Sequence, residues 1–219
     1  MISVSLIDLM GDDLSVVNSA RVSFDKHKEE FDESDTKLMQ YLAKHNHWTP
    51  FSHCTATFMI TAPVFCARQL FKHKVGISEN EISRRYVDDE PGIFHPGEWR
   101  TKAENKKQGS GDPHTDQESI NQAYLDAVSI TLAAYDHMIE EGVAPEQARM
   151  VLPQSMMTSW YWTGSLAAFA RVCKQRMHDD SQAETRYVAE MISELLAPHF
   201  PVAWEVLCGH LIPQGEPIH

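Results

Sequence analysis

Apolar and polar residues alternate with a period of two along parts of the chain, and this pattern predicts β-strands. In residues 54–62 the even positions hold Cys, Ala, Phe, Ile and Ala, whereas the odd positions hold Thr or Met. Residues 2–10 mix alternation with an apolar run, and residues 154–162 are rich in Met, Trp and Tyr. Because successive side chains of a strand point to opposite faces of a sheet, we predict three strands. The third contains aromatic residues expected in the core rather than at a subunit interface: Trp160, Tyr161 and Trp162.

Apolar residues at helical spacing predict helices between these strands. Residues 35–45 form such a segment, with Asp35 as the predicted N-cap. A second helix is predicted to open at Pro63, to run to about residue 74 and to stop at Gly76. Further helices are predicted over residues 14–22, 120–142, 145–149 and 166–176, and after a capping box of Ser181 and Glu184.

The order of these elements indicates the fold class. Strands and helices are mixed without a βαβ rhythm, and neither a GxGxxG nor a Walker A motif occurs, which disfavours Rossmann and P-loop folds. Residues 102–116 are polar and are predicted to form an exposed loop. We predict a single α+β domain over residues 1–213, with a mixed or antiparallel sheet flanked by helices and a flexible tail at residues 214–219.

Composition narrows the class of partner. The 219 residues are 42% hydrophobic, and 19 basic against 31 acidic residues give a net charge of −12. An acidic chain argues against binding to nucleic acid or to an anionic membrane, and no segment approaches the length of a membrane span. The N-terminus has no basic leader, so a cytoplasmic location is expected. The four cysteines lack metal-site spacing and are expected to be reduced and mostly buried.

One basic segment stands out against this acidic background. Residues 68–86 carry five Lys or Arg and two Glu, a local charge of +3, which fits an anionic ligand. Arg68 and Lys72 are four residues apart and share a helix face. Cations also favour the C-terminal end of a helix, so a purely structural role for residues 72–74 is an equally good interpretation of that tripeptide alone. It does not explain the polar run that follows at residues 80–86.

The segment resembles the signature of flavin-dependent thymidylate synthases. Lys72-His73-Lys74 stands where the family has Arg-His-Arg, and Ser83-Arg-Arg-Tyr86 matches the family's Ser-x-Arg-Tyr. Eight residues separate Lys74 from Ser83, one more than in the usual family form. Residues 13–25, 45–53, 62–69, 146–153 and 176–184 resemble further family segments in the same order. Residues 88–117 lack a clear counterpart.

The resemblance implies a thymidylate synthase-complementing type fold and a specific reaction. Members of this family are methyltransferases that make dTMP from dUMP, with methylenetetrahydrofolate as carbon donor, reduced FAD as hydride donor and NADPH as the usual reductant of the flavin. They are homotetramers whose active sites combine residues from several subunits, and they use no cysteine nucleophile. Cys173, although near Lys174 and Arg176, is accordingly expected to be a structural thiol.

The resemblance also assigns roles to residues. Arg176 is the expected catalytic residue, because a cation at the uracil edge stabilises negative charge at N3 and O4 and makes C5 more nucleophilic. The expected dUMP-binding residues are Gln69, Lys72, Glu81, Ile82, Ser83, Arg84, Arg85, Arg149 and Arg176. The expected FAD-binding residues are Ser23, His47, Thr49, Lys72, His73, Lys74, Asn80, Glu81, Ser165 and Arg171, the last as a replacement for a lost cation.

Two alternatives remain open from sequence. A metal-dependent hydrolase would use the clustered His45, His47 and His53, although no HExxH motif occurs and no metal site is expected. A non-catalytic nucleotide-binding protein would account for the exchange of arginine for lysine, because lysine keeps the charge but loses the planar fork of donors.

Overall fold

The structure is a computed structural model, and it describes residues 1–87, 89–104 and 109–209. Along the chain the elements are β1 (Ser3–Met10), α1 (Asp13–Arg21), α2 (Glu33–Lys44), β2 (Thr55–Pro63), α3 (Val64–Leu70), β3 (Ile77–Glu81), β4 (Arg100–Lys102), β5 (Ser110–Pro113), α4 (Gln117–Glu140), α5 (Pro145–Ala148), β6 (Met157–Ser165), α6 (Leu166–Arg176), α7 (Ala183–Leu196) and α8 (Pro201–Cys208). Short 3-10 helices cover Val22–Phe24, Pro50–Ser52 and Arg149–Val151.

Four strands form one antiparallel sheet in the order β1-β2-β6-β3, and β4 pairs with β5 in a separate hairpin. The predicted α+β class with an antiparallel sheet is confirmed. In the central pair, Phe58 lies opposite Trp162 and Ile60 opposite Trp160, and all four side chains are buried. Tyr161 points to the other face and is exposed, so the core prediction for the aromatic run holds for the two tryptophans and is wrong for the tyrosine.

The helix α6 is the centre of the helical layer. It contacts α7, α8 and the end of β6, and seven of its eleven residues are buried. Phe169 of this helix makes edge-to-face contacts with Phe58 and Trp162 of the sheet, at centroid distances of 5.0 and 5.5 Å. The rigid packing of α6 therefore fixes the position of Arg176 at its C-terminal end.

The helix α2 begins earlier than its pattern predicts. The N-cap of α2 is Asp32, whose side chain accepts the Ser34 N–H, so the prediction of Asp35 as N-cap is wrong. Asp35 is the third helical residue and accepts the Asp32 N–H at 2.9 Å, which completes a capping box. Its carboxylate is fully buried and also accepts hydrogen bonds from Arg21 and Lys28.

The segment after α3 also differs from prediction. The helix ends at Leu70 instead of continuing to about residue 74. The chain turns there because residues 77–81 form the edge strand β3, which pairs with β6 and begins where the Gly76 carbonyl accepts the Ser165 N–H at 3.1 Å. Gly76 has φ +76°, a backbone conformation that suits glycine.

Three further segments differ from their predictions because contacts with distant residues determine their structure. The predicted loop at residues 102–116 contains strand β5 and the end of β4. The predicted capping box before α7 is wrong: the N-cap is Gln182, Ser181 donates to the Gln175 carbonyl, and the Glu184 carboxylate accepts from Arg100. The helix α8 lies in a segment with no predicted element.

The long helix α4 is confirmed, but half of its predicted apolar face lies open. Of the apolar positions that predict this helix, Ala123, Ala127 and Ile130 are exposed, and Ile120, Ala134 and Met138 are partly buried. The buried residues of the helix, Val128 and Tyr135, are not among those positions. Within the described ranges no helix is long and apolar enough to cross a membrane. The predicted domain boundary at residue 213 and the tail at residues 214–219 lie outside the described residues.

Candidate functional site

The C-terminal end of α6 borders a cavity of about 610 Å³, here called the Arg176 cavity. Arg176 is half-buried there; its Nε donates to Nε2 of His73 at 3.0 Å, and its Nη2 donates to the Gln69 carbonyl at 3.2 Å. Burial lowers the pKa of this guanidinium, which nevertheless stays protonated at neutral pH. The described lining residues are Gln69, Gly109, Lys174, Gln175, Arg176, His178, Asp180, Ser181 and Gln182.

The Gln69 side chain is held in place by Gln182 and by Thr185 of α7. Its side-chain Nε2 donates to Oε1 of Gln182, and its Oε1 accepts from the hydroxyl of Thr185 at 3.4 Å. The side chain that the resemblance assigns to dUMP is therefore oriented before any ligand enters. The structure thus brings together Gln69 and Arg176 among the expected dUMP residues, together with His73 from the signature.

His73 is a neutral imidazole in this arrangement. Burial, followed by the positive charges of Arg176 and Arg171, lowers its pKa to about 4. A neutral ring leaves one nitrogen free of hydrogen, so Nε2 is able to accept the Arg176 Nε–H. The histidine of the signature is thus an acceptor for the expected catalytic arginine.

Three of the expected FAD residues share a second cavity of about 690 Å³, here called the Ser23 cavity. Ser23, His47 and Thr49 line it, along with Tyr41 and Phe24. His47 also lines a third cavity of about 400 Å³, the Arg171 cavity, to which Arg171, Trp48 and Lys174 contribute.

These two cavities fit the chemistry of a flavin dinucleotide. The shared wall at His47 makes them neighbours, and Lys174 in turn lines both the Arg171 cavity and the Arg176 cavity. Hydroxyl and imidazole groups suit the polar edges of planar rings, aromatic side chains suit their faces, and two cations suit a diphosphate. The residues present therefore fit FAD.

The lysines of the signature and Arg171 make structural contacts of their own. Lys74 forms an ion pair with Glu79 of β3, and its ammonium lies 5.8 Å from the centroid of the Phe71 ring. Arg171 donates from Nη2 to the Val75 carbonyl at 2.6 Å. Ser165 caps α6 by accepting the Ala168 N–H at 3.3 Å. A role of these residues toward FAD remains a prediction, and Lys72 is exposed.

The remaining expected residues lie outside the Arg176 cavity. Glu81 accepts a hydrogen bond from Thr158 at 2.7 Å, and Arg84 donates to the Asp89 carbonyl and carboxylate at 2.6 and 2.8 Å. Arg149 is exposed and donates to the Glu146 carbonyl at 3.2 Å. The expected dUMP residues absent from the described lining of this cavity are Lys72, Glu81, Ile82, Ser83, Arg84, Arg85 and Arg149. None of the expected FAD residues, Asn80 included, is in that lining.

The structure adds two residues that the sequence did not nominate. Gln182 orients Gln69, and Lys174 lines two of the cavities. The signal for Gln182 was present, since it lies in the matched stretch at residues 176–184, but its spacing gave no reason to connect it with Gln69.

The metal-hydrolase alternative finds no support in the geometry. Within residues 1–87, 89–104 and 109–209, no three His, Cys, Asp or Glu side chains are grouped as a metal site. His45 and His47 instead contact the ring of Tyr41, at centroid distances of 4.4 and 5.9 Å. His53 lines the Ser23 cavity.

All four cysteines are buried, as predicted, and none is poised as a nucleophile. Burial raises the pKa of Cys54 to about 11 and those of Cys66 and Cys208 to about 12. Cys173 is fully buried, and burial raises its pKa well above the ordinary value. Since the thiolate is the nucleophilic form, cysteine catalysis at neutral pH is disfavoured.

Comparison with known proteins identifies the family of this chain. Residues 5–202 match the family described as Thy1, thymidylate synthase complementing protein. The flavin-dependent thymidylate synthase of Thermus thermophilus is 37% identical over 210 residues, covering 95% of this chain and 76% of that protein. The enzyme of the same name from Thermosipho africanus is 34% identical over 96% of this chain and 95% of its own length.

Solved structures resemble the fold as well. The UMP/dUMP methylase PolB from Streptomyces cacaoi, bound with 5-Br dUMP, superposes with a TM-score of 0.86 at 30% identity over 95% of both chains. Its complex with 5-Br UMP gives 0.84 at 28% identity, over 96% of this chain and 95% of that one. The matched family covers most of the sheet and helices that build the three cavities, so the chain belongs to the family of flavin-dependent thymidylate synthases.

Proposed function

We propose that this protein converts dUMP to dTMP, with methylenetetrahydrofolate as the carbon donor, reduced FAD as the hydride donor and NADPH as the reductant of the flavin. The observation that carries the proposal is the fixed, half-buried guanidinium of Arg176 at a cavity that shares Lys174 with the Arg171 cavity, one of the two that fit FAD. Relatives bearing the name of this activity, and a similar structure that binds a dUMP analogue, support it.

Arg176 acts on the nucleobase by electrostatics. Before C5 of the uracil attacks the electrophilic carbon, a cation already held in place stabilises negative charge on N3 and O4, and this makes C5 more nucleophilic. No reorganisation of the guanidinium is needed, because His73 and the Gln69 carbonyl hold it before substrate binds. The Gln69 amide offers hydrogen-bonding groups at the same cavity.

Bound FAD supplies the hydride that reduces the transferred carbon to a methyl group. The chain's part is to hold the cofactor: Ser23, His47 and Thr49 face one cavity, and Arg171 with Lys174 places positive charge at the next. Because the four thiols are buried and their pKa values are raised, activation of the uracil depends on Arg176 rather than on addition of a cysteine.

We further propose a cytoplasmic homotetramer whose subunits share each site. Ser83 and Arg85 lie on the segment after β3, and Arg149 lies on a 3-10 helix; all three are absent from the described lining of the Arg176 cavity. A neighbouring subunit is the natural donor of these phosphate-binding groups. Apolar residues such as Ile130 and Met150, which are 70% and 75% exposed, are suited to burial between subunits.

The decisive experiment is a half-reaction under anaerobic conditions. The flavin is reduced with NADPH, methylenetetrahydrofolate is added with dUMP, and flavin reoxidation and dTMP are measured. We expect reoxidation that depends on both substrates and one dTMP per flavin oxidised. UMP is the matched test of sugar selectivity. Flavin that stays reduced with dUMP would refute the proposal, as would reoxidation without dTMP.

Shared sites are tested by mixing two inactive variants. If Arg85 and Arg176 of one site come from different subunits, mixed oligomers of Arg85→Ala and Arg176→Ala chains contain some sites with both arginines intact. We therefore expect activity to return after the two variants are unfolded and refolded together, but not after each is refolded alone. Mixtures that stay inactive, while refolded wild type recovers, would contradict sharing between these two residues.

A further inference from the structure

The guanidinium of Arg176 has two edges that carry paired N–H donors, and protein groups bind one of them. Nε donates to His73 and Nη2 donates to the Gln69 carbonyl, so the Nε–Nη2 edge is held by protein. The opposite edge, formed by Nη1 and the second Nη2 proton, is the one left to present paired donors to a ligand. The orientation of the expected catalytic group therefore depends on what holds the first edge.

His73 is the side chain that holds the Nε–Nη2 edge, and the backbone of the turn after α3 fixes the position of its ring. Its backbone N–H donates to the Leu70 carbonyl at 3.0 Å, in the turn that closes α3. The turn carries the ring across to the last residue of α6, which is 103 positions away in sequence. The Gln69 carbonyl in the same turn accepts the second donor, so one short segment holds both atoms of the edge.

The charges around the ring favour an acceptor. Arg171 and Arg176 face it from α6, and Lys72 and Lys74 flank it in sequence, with Lys74 paired to Glu79 of β3. Burial and the two arginines lower the pKa of His73, so the ring is neutral across the physiological range. A protonated ring would lose its acceptor and would set a third positive charge against the two arginines.

We propose that His73 is a positioning residue for the reaction: by accepting the Arg176 Nε–H at Nε2, it fixes the guanidinium so that its other edge faces the nucleobase. The inference rests on the proposed function and deepens it. It assigns the signature histidine a role toward the substrate, in addition to the FAD contact expected from resemblance. The Nδ1–H of the same ring remains the donor for that contact.

The test is a double-mutant cycle on dUMP binding. His73→Phe removes the acceptor and keeps a planar ring, and His73→Gln restores an acceptor near the position of Nε2. Dissociation constants are measured by equilibrium dialysis of dUMP against FAD-saturated protein, for the wild type, both variants, Arg176→Ala and the double variant. Flavin content is recorded for each, and His199→Phe, at an exposed histidine in the turn before α8, serves as the matched control.

We expect His73→Phe to weaken dUMP binding about tenfold, the loss of one hydrogen bond to a charged group, and His73→Gln to recover most of it. In the Arg176→Ala background the same substitution should change the dissociation constant by less than about twofold. A loss of equal size in both backgrounds would overturn the inference, because His73 would then act independently of Arg176. So would a His73→Gln enzyme no better than His73→Phe.

A pH series tests whether the His73 ring is a neutral acceptor. Since burial lowers the pKa of His73 to about 4, the ring stays mostly neutral between pH 7 and 4.5, and wild-type affinity relative to His73→Gln at each pH should change by less than about 1.5-fold. A fall of several-fold within that range would overturn the inference, because Nε2 would then carry a proton and could not accept. A wild-type protein that binds no dUMP would instead overturn the proposed function, whereas normal wild-type binding beside an unaffected His73→Phe refutes the positioning role alone.

Discussion

Replacement of the buried Asp35 by asparagine should destabilise the junction of α1 and α2. The carboxylate is completely buried; Oδ1 accepts from Arg21, and Oδ2 accepts from Lys28 at 2.7 Å and from the Asp32 N–H at 2.9 Å. An asparagine offers one oxygen, so its amide NH₂ must face one of these donors. The substitution also removes the counter-charge that Arg21 and Lys28 share, so that Arg21 loses its ion pair whereas Lys28 keeps its pair with Asp32 at 2.6 Å.

The size of the effect follows from how deeply the partners lie. Removal of one partner from a buried ion pair costs about 3–5 kcal/mol. The Arg21 and Lys28 side chains are 17% and 27% exposed, so water compensates them in part and the low end, about 3 kcal/mol, applies. For a chain of this length, about 3 kcal/mol lowers Tm by roughly 6–12 °C.

The pH dependence of this effect has a definite sign. Burial by itself raises the pKa of the Asp35 carboxyl, but hydrogen bonds from Lys28, Asp32 and Arg21 outweigh it, and the pKa is lowered overall. A lowered pKa contributes stability that is present above the unfolded pKa of about 3.9 and is lost as pH falls through the folded value. The Tm difference between the wild type and Asp35→Asn should therefore be constant from pH 6 to 8 and should shrink below about pH 4.

The assay is thermal unfolding followed by circular dichroism at several pH values. Glu33→Gln is the matched control, because Glu33 is 85% exposed and its i,i+4 pair with Lys37 contributes under about 0.5 kcal/mol. A Tm for Asp35→Asn within 2 °C of the wild type at pH 7 would refute the reasoning. A difference that stays constant on acidification would refute its electrostatic part.

Three further predictions concern the rest of the chain. Ellman's reagent at pH 8 should label the cysteines only after denaturant is added, because all four are buried with raised pKa values; stoichiometric labelling of the native protein would contradict this. Glu79→Gln should free Lys74 and tighten FAD binding about two- to threefold at low salt, as measured by flavin fluorescence, whereas weaker binding would count against the expected role of Lys74. Arg100→Gln should lower Tm by several degrees, since it leaves the buried Glu184 without its ion partner; an unchanged melting curve would show that the pair contributes nothing.

The local hydrophobic pattern was enough to predict elements whose apolar side chains lie in the core. The alternation in residues 54–62 predicted β2, and the helical segment at residues 166–176 has the bounds of α6. In both elements, the apolar positions of the pattern are the side chains that the fold buries. The same holds for the four cysteines, whose apolar surroundings predicted their inaccessibility.

Elements whose stability comes from distant partners were not predictable in this way. The strand β3 reads Ile-Ser-Glu-Asn-Glu and has little apolar pattern; it exists because β6 supplies its hydrogen bonds. The helix α4 shows the reverse case: its apolar pattern predicted the helix, but the described part of the chain does not cover Ile130.

The sequence by itself determined which chemical groups the protein carries: a basic signature in an acidic chain, an arginine in a matched stretch near residue 176, and no cysteine placed for catalysis. Only the tertiary structure decided how these groups meet. Hydrogen bonds between residues more than 100 positions apart are fixed by the packing of α3 against the sheet and of α6 across it, and they leave no periodic trace in the sequence. For that reason the contact between His73 and Arg176 appeared only when the chain was folded.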